Sequence, residues 1–133
     1  MPADFVLDTA NQVVFSRAWG TLTDADLLDH QRRLKAHPEF KPCFNQLFDF
    51  ESVSRADVTP DGMRVLARGN AFGKDARRAF VVISPLMFGM MRMFEILTSE
   101  DPDEFRVQFD NIASARKWLG IITENASAEP LAS

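Results

Sequence analysis

The chain has 133 residues, 46% of them hydrophobic, which suits one domain with one sizeable core. A formal net charge of −4 and a pI near 5.1 argue against general affinity for nucleic acid or anionic membranes. The lone Cys43 excludes an internal disulfide and a multi-cysteine zinc site, and no apolar run of about 18 residues offers a membrane span. Met1-Pro2-Ala3-Asp4 has neither the basic nor the apolar region of a secretory signal, so a cytoplasmic location is expected.

Asp4 to Asp8 reads as a short strand, turned back by Thr9-Ala10-Asn11. Gln12 to Trp19, rich in β-branched and aromatic residues, reads as its antiparallel partner, ended by Gly20. Thr23 caps a first helix, with Asp26 as the far member of an imperfect capping box. Leu27, Gln31 and Leu34 share one face of it, with Leu28 alongside and His30 at the margin, and Pro38 and Pro42 bracket its exit. Asn45 to Phe50 is a third strand, and Glu51 to Val58 reads as a polar connection. Thr59-Pro60-Asp61 starts a second helix with a hydroxyl cap, a proline at the first helical position and an acid in the first turn. That helix carries Met63, Leu66 and Ala67 inward and stops near Gly69.

Ala79 to Ile83 is a continuous apolar run, the pattern of a strand buried on both faces. Ser84 and Pro85 break it, and a methionine-rich helix runs from Leu86 to Leu97. An acidic turn spans Ser99 to Asp103, then Phe105, Val107 and Phe109 alternate with Arg106 and Gln108 as a half-exposed strand. Asn111 caps a last helix closed by Gly120, and the polar residues 123–133 are expected to form a disordered tail behind a single domain over residues 1–122. The order is β-β-α-β-α-β-α-β-α. Strands separated by single helices need crossovers, so the fold class is α/β, with a five-stranded mixed sheet whose first strand alone is antiparallel.

The Ala18-Trp19-Gly20 strand end followed by Leu22-Thr23-Asp24, and the stretch from Val107-Gln108-Phe109 to Ala115-Arg116-Lys117-Trp118-Leu119-Gly120, resemble small stand-alone bacterial STAS-like proteins of the SpoIIAA-like superfamily. The resemblance covers roughly residues 4 to 120 and implies helices mainly on one face of the sheet. In the anti-sigma-factor antagonists of that superfamily, a partner kinase phosphorylates a serine in an Asp-Ser-Ser-Gly-like turn after the third strand. The matching stretch here is Thr59-Pro60-Asp61-Gly62, in which Pro60 and Asp61 replace the two serines. The resemblance therefore implies a lost phosphoacceptor and a switch-like turn of Thr59, Asp61 and Arg64, with Arg64 one turn from the Asp61 carboxylate.

Other chemistry is thin. Gly69 to Asp75 departs from a phosphate loop in spacing, in the residue after the lysine and in element order. His30 and His37 have no carboxylate or cysteine at a spacing that completes a metal site, and no cofactor is implied. Ser84 and Asp49 lie at strand ends, where ligands of open α/β sheets gather, but Ser84 lacks a nucleophile-elbow context and reads rather as a helix cap, and capping or solvation accounts equally for Asp49. Arg64, Arg68, Lys74, Arg77 and Arg78 read as a salt-bridged, solvated face or a small anion site.

The methionine helix stands out. At about 100° per residue its apolar positions fill an arc of roughly 160°, wider than the ~100° that one-sided packing requires. Deep burial between neighbouring helices accounts for that width; so does a partner or ligand surface through Met87, Phe88, Met91 and Ile96. The expectation is a non-enzymatic STAS-like interaction or regulatory module, homodimeric or bound to another protein. The alternative is a carrier of a small apolar, lipid-like ligand.

Overall fold

In the sheet, each strand lies beside its neighbour in sequence, in the order β1-β2-β3-β4-β5. The computed structural model describes residues 2–73, 76–98, 105–109 (backbone) and 112–120. Its elements are β1 (Ala3–Asp8), β2 (Val13–Thr23), α1 (Asp24–Ala36), β3 (Asn45–Asp57), α2 (Pro60–Arg68), β4 (Arg78–Val82), α3 (Pro85–Thr98), β5 (Phe105–Phe109) and α4 (Ile112–Leu119). β1 runs antiparallel to β2, and the pairs β2–β3, β3–β4 and β4–β5 are parallel, as the alternation of strands and helices predicts. The acidic turn at 99–103, the Asn111 cap, Lys74, Asp75, the tail at 123–133 and the inward-outward alternation of 105–109 lie outside the described residues.

This order decides where the helices go. Parallel crossovers are right-handed, and three that advance in one direction across the sheet must lie on the same face. α1, α2 and α3 do so: Leu27, Met63, Leu66, Met87, Met91 and Phe94 pack with Ala18, Phe48, Phe50, Phe80 and Val82. α4 follows the last strand, makes no crossover and is free of that constraint. Its Ala115 and Leu119 cover the opposite face with Val13, Phe15, Leu47, Ala79 and Val81. Alternate residues of β2, β3 and β4 thus face two different cores, as the period of two requires.

The caps are as the sequence predicts. Asp26 N donates to Thr23 Oγ1, and Asp26 Oδ2 accepts from Thr23 N at 2.9 Å, completing the capping box of α1. Gly62 N donates to Thr59 Oγ1 at 3.0 Å at the start of α2, and Met87 N to Ser84 Oγ at 3.3 Å at the start of α3. Ser84 is therefore a cap.

Three strand readings change. Gly20 does not end β2: it takes φ +65°, open to glycine, and the strand continues through irregular register to Thr23. The stretch 51–57 is strand rather than connection, because it pairs with that extension, Trp19 with Ser52 through Thr23 with Asp57. β4 begins at Arg78, one residue before the apolar run, and Ile83 is exposed beyond its end.

Candidate functional site: a cleft under three helices

Between α1, α2, α3 and the sheet lies a small cleft, about half open to solvent. Leu27 and Leu34 of α1, Leu66 of α2, Phe72 of the following loop, and Met91 and Phe94 of α3 form its apolar walls. Its floor contains Phe48, Phe50 and Phe80, with the first two rings stacked at 4.2 Å between centroids.

Polar groups enter along one line. Gln46 and Arg78 are register partners on β3 and β4, and both project to the helix-covered face with Phe48 and Phe80 two residues on. Gln46 Oε1 accepts from Arg78 Nε at 3.0 Å and from Nη2 at 2.9 Å. Asn70 Oδ1 accepts from Arg78 Nη1 at 3.0 Å. The guanidinium carbon lies 4.3 Å from the Phe72 ring centroid, 5.0 Å from Phe94 and 5.3 Å from Phe80. Hydrogen bonds thus fix the plane of the fork while aromatic faces favour its charge. Arg78 is 9% exposed, and burial lowers its pKa to about 9, which leaves it cationic at neutral pH.

The chain of bonds continues inward. Gln46 Nε2 donates to Ser16 Oγ at 3.1 Å, and Ser16 Oγ is hydrogen-bonded to His30 Nε2 at 2.9 Å. The His30 ring lies between Phe5, edge-on at 5.4 Å, and Phe48 at 4.8 Å. Burial, then the charges of Arg33 and Arg78, push its pKa down to about 3, so the ring is neutral at physiological pH. A serine beside a neutral histidine suggests a nucleophile and its base, but Ser16 is 0% exposed and does not line the cleft. The pair is placed to satisfy buried polar atoms.

The residues singled out from sequence fall in three places. Met87 and Met91 are buried, with Met91 on the cleft wall; Phe88 is half-buried; Ile96 is 72% exposed. Thr59, Asp61 and Arg64 meet at the start of α2, away from the cleft lining. There Arg64 Nη1 donates to Asp61 Oδ1 at 2.5 Å, on a turn where the Asp61 side chain is 92% exposed. Thr59 uses its hydroxyl twice, accepting from Gly62 N and donating to Asp24 Oδ2. Asp49 at the β3–β4 level accepts from Glu51 N.

Sequence reasoning placed His30 at a helix margin and Arg78 on a solvated basic face; both are buried. Gln46, Ser16 and Asn70 drew no attention. The local signal is small: Ser16 interrupts an apolar strand, whereas Gln46 and Arg78 stand at polar strand starts, each of the three two residues before an apolar residue that faces the helices. Their contact with one another depends on strand pairing and has no local signature.

Among the described residues no group of three or more His, Cys, Asp or Glu side chains converges to hold a metal ion, and no helix is long and apolar enough to cross a membrane. Comparison with known families finds no family model that matches the chain, and no curated protein matches it either.

Proposed function

We propose that the protein is a non-catalytic binding module whose working site is the cleft under α1, α2 and α3, and that it takes a small, mainly apolar ligand. One observation carries this reading. The cleft combines apolar and aromatic walls with a short line of oriented polar groups, the usual make-up of a small-molecule site. Met91 suits the role, because an unbranched thioether repacks around ligands of different shape. Native mass spectrometry of gently purified protein tests it directly. A co-purified small molecule that is lost from an Ala71→Trp variant supports the reading, since Ala71 lines the cleft and an indole there fills it. A wild-type protein that is empty, and that no apolar probe stabilises against heat, overturns it.

A second reading rests on a different observation. Ile83, Leu86, Ile96 and Leu97, all in or just before α3, are large apolar side chains left 45%, 49%, 72% and 46% exposed. Such side chains in one region suit a protein contact, and a homodimer through α3 is the form proposed. Sedimentation at micromolar concentration decides it: a dimer that Ile96→Glu dissociates supports the contact, and a monomer at every concentration removes it. The sequential sheet order and the three helices on one face support the proposal of a STAS-like, SpoIIAA-like origin for either reading.

A further inference from the structure

We propose that the cleft selects an uncharged small molecule with an apolar body and a hydrogen-bond acceptor, a single-ring ketone or ester, whose oxygen is received by the Nδ1–H of His30. This inference rests on the cleft being a ligand site and adds the chemistry of what enters it.

The line of buried hydrogen bonds has a direction. A guanidinium can only donate, so Gln46 turns Oε1 to Arg78 and must turn Nε2 to Ser16. Ser16 Oγ therefore accepts from the amide and keeps its own hydrogen to give. Among the described residues its other side-chain partner is His30 Nε2, at 2.9 Å. Were that nitrogen protonated as well, the Ser16 hydroxyl hydrogen would be buried without an acceptor, which folded chains avoid. Ser16 thus donates to Nε2, and the proton of the neutral ring sits on Nδ1.

Nδ1–H is then a donor that the described residues leave open. His30 lines the cleft and is 4% exposed, and among the described residues its hydrogen bonding runs through Nε2 alone. The ring is held against rotation, since Phe5 meets it edge-on, Phe48 packs at 4.8 Å and Ser16 holds the other nitrogen. An acceptor entering the cleft completes such a donor.

Charge and shape narrow the class. Burial keeps the ring neutral at pH 7, and one neutral N–H does not offset the removal of a carboxylate from water. Arg78 adds no demand for an anion, because Gln46 and Asn70 already accept from its Nε, Nη1 and Nη2. An ammonium group would bring no acceptor and would meet Arg78 as a like charge. Leu34, Leu66, Phe72, Met91 and Phe94 offer no hydrogen bonds from their side chains, so the body of the ligand is apolar. A small cleft, about half open to solvent, suits a single ring rather than a long chain.

The experiment labels the full chain with isotopic histidine, which reports on two rings, His30 and His37, and titrates it at pH 7 with cyclohexanone and its hydrocarbon counterpart methylenecyclohexane. The nitrogen spectrum of the free protein is expected to show His30 as the Nδ1–H tautomer. Cyclohexanone is expected to shift His30 Nδ1 and to leave His37, whose Nδ1 accepts from Glu39 N, while methylenecyclohexane binds with Nδ1 unmoved. Cyclohexanecarboxylate is expected to bind more weakly than the ketone. His30→Leu should lower the affinity for the ketone relative to the hydrocarbon by at least about fivefold, the hydrocarbon cancelling any change of shape. An Nε2–H tautomer, a ketone that binds without moving Nδ1, an unchanged ratio in His30→Leu, or tighter binding of the carboxylate overturns the inference and leaves the binding reading standing. Binding of none of the three probes overturns both. Should His30→Leu fail to fold, the tautomer and the Nδ1 shift of the wild type decide.

Discussion

The Asp24 carboxylate of α1 accepts both hydrogen bonds that Thr59 donates at the start of α2: Oδ1 takes the backbone N–H at 2.9 Å and Oδ2 the hydroxyl at 2.5 Å. The two helix starts are thereby tied across 35 positions of sequence. The carboxylate occupies the space beside Gly62, where a Cβ would lie 2.2 Å from Asp24 Cγ. An anion at a helix N-terminus is favourable, so a residue of one helix supports the capping of the next. The Thr59-Asp61 turn is thus built around an internal carboxylate.

Gly62→Ala tests that packing. Alanine would ordinarily strengthen a helix by up to about 1 kcal/mol. Here its methyl must displace Asp24 and break its bonds to Thr59, so a net loss of about 1–2 kcal/mol is expected in urea unfolding. In an Asp24→Ala background the same change is expected to be neutral or stabilising. The double-mutant cycle reads the coupling, and an additive result refutes it.

At Thr59, charge should matter more than capping. Thr59→Ala is expected to lose about 1 kcal/mol, the usual value of an N-cap. Thr59→Glu should lose more, because its carboxylate would sit against Asp24 instead of donating to it. Added salt is expected to narrow the difference between the variants, which thermal unfolding at two ionic strengths would measure. A Thr59→Glu variant as stable as wild type would show that the turn tolerates a phosphate-like charge.

His30 predicts an acid limb of stability. Its folded pKa lies near 3 against an ordinary 6.5, lowered by burial, Arg33 and Arg78 and opposed by Asp4 and Asp29. Between those values the unfolded chain binds a proton that the folded chain refuses, so stability falls as pH falls. The slope is about 1.4 kcal/mol per pH unit through the middle of that window, and the effect is absent above about pH 7. Urea titrations from pH 7 to pH 4.5 on wild type and His30→Gln would isolate it. Parallel curves for the two proteins refute the assignment.

Within α3 the structure separates residues of similar chemistry. Met91→Ala should destabilise by about 2–4 kcal/mol, because the side chain is 2% exposed between sheet and helices. Ile96→Ala should change monomer stability by no more than about 0.5 kcal/mol. Equal losses measured at low protein concentration would contradict the placement of the helix.

The order of elements, the caps at Thr23, Thr59 and Ser84, and the both-face burial of β4 were legible in the sequence because each depends on residues within a few positions of one another. A capping box needs four neighbours, and a strand pattern needs a period of two. The one-sided stack of α1, α2 and α3 follows once the sheet order is known, through the handedness of the crossovers. Tertiary structure alone decided the rest. A polar residue in an apolar strand has the same local pattern whether it faces solvent at an edge or a partner on the next strand. Register pairing set Gln46 against Arg78 across 32 positions, and the packing of α1 on the sheet joined Ser16 and His30 to the same line of buried hydrogen bonds.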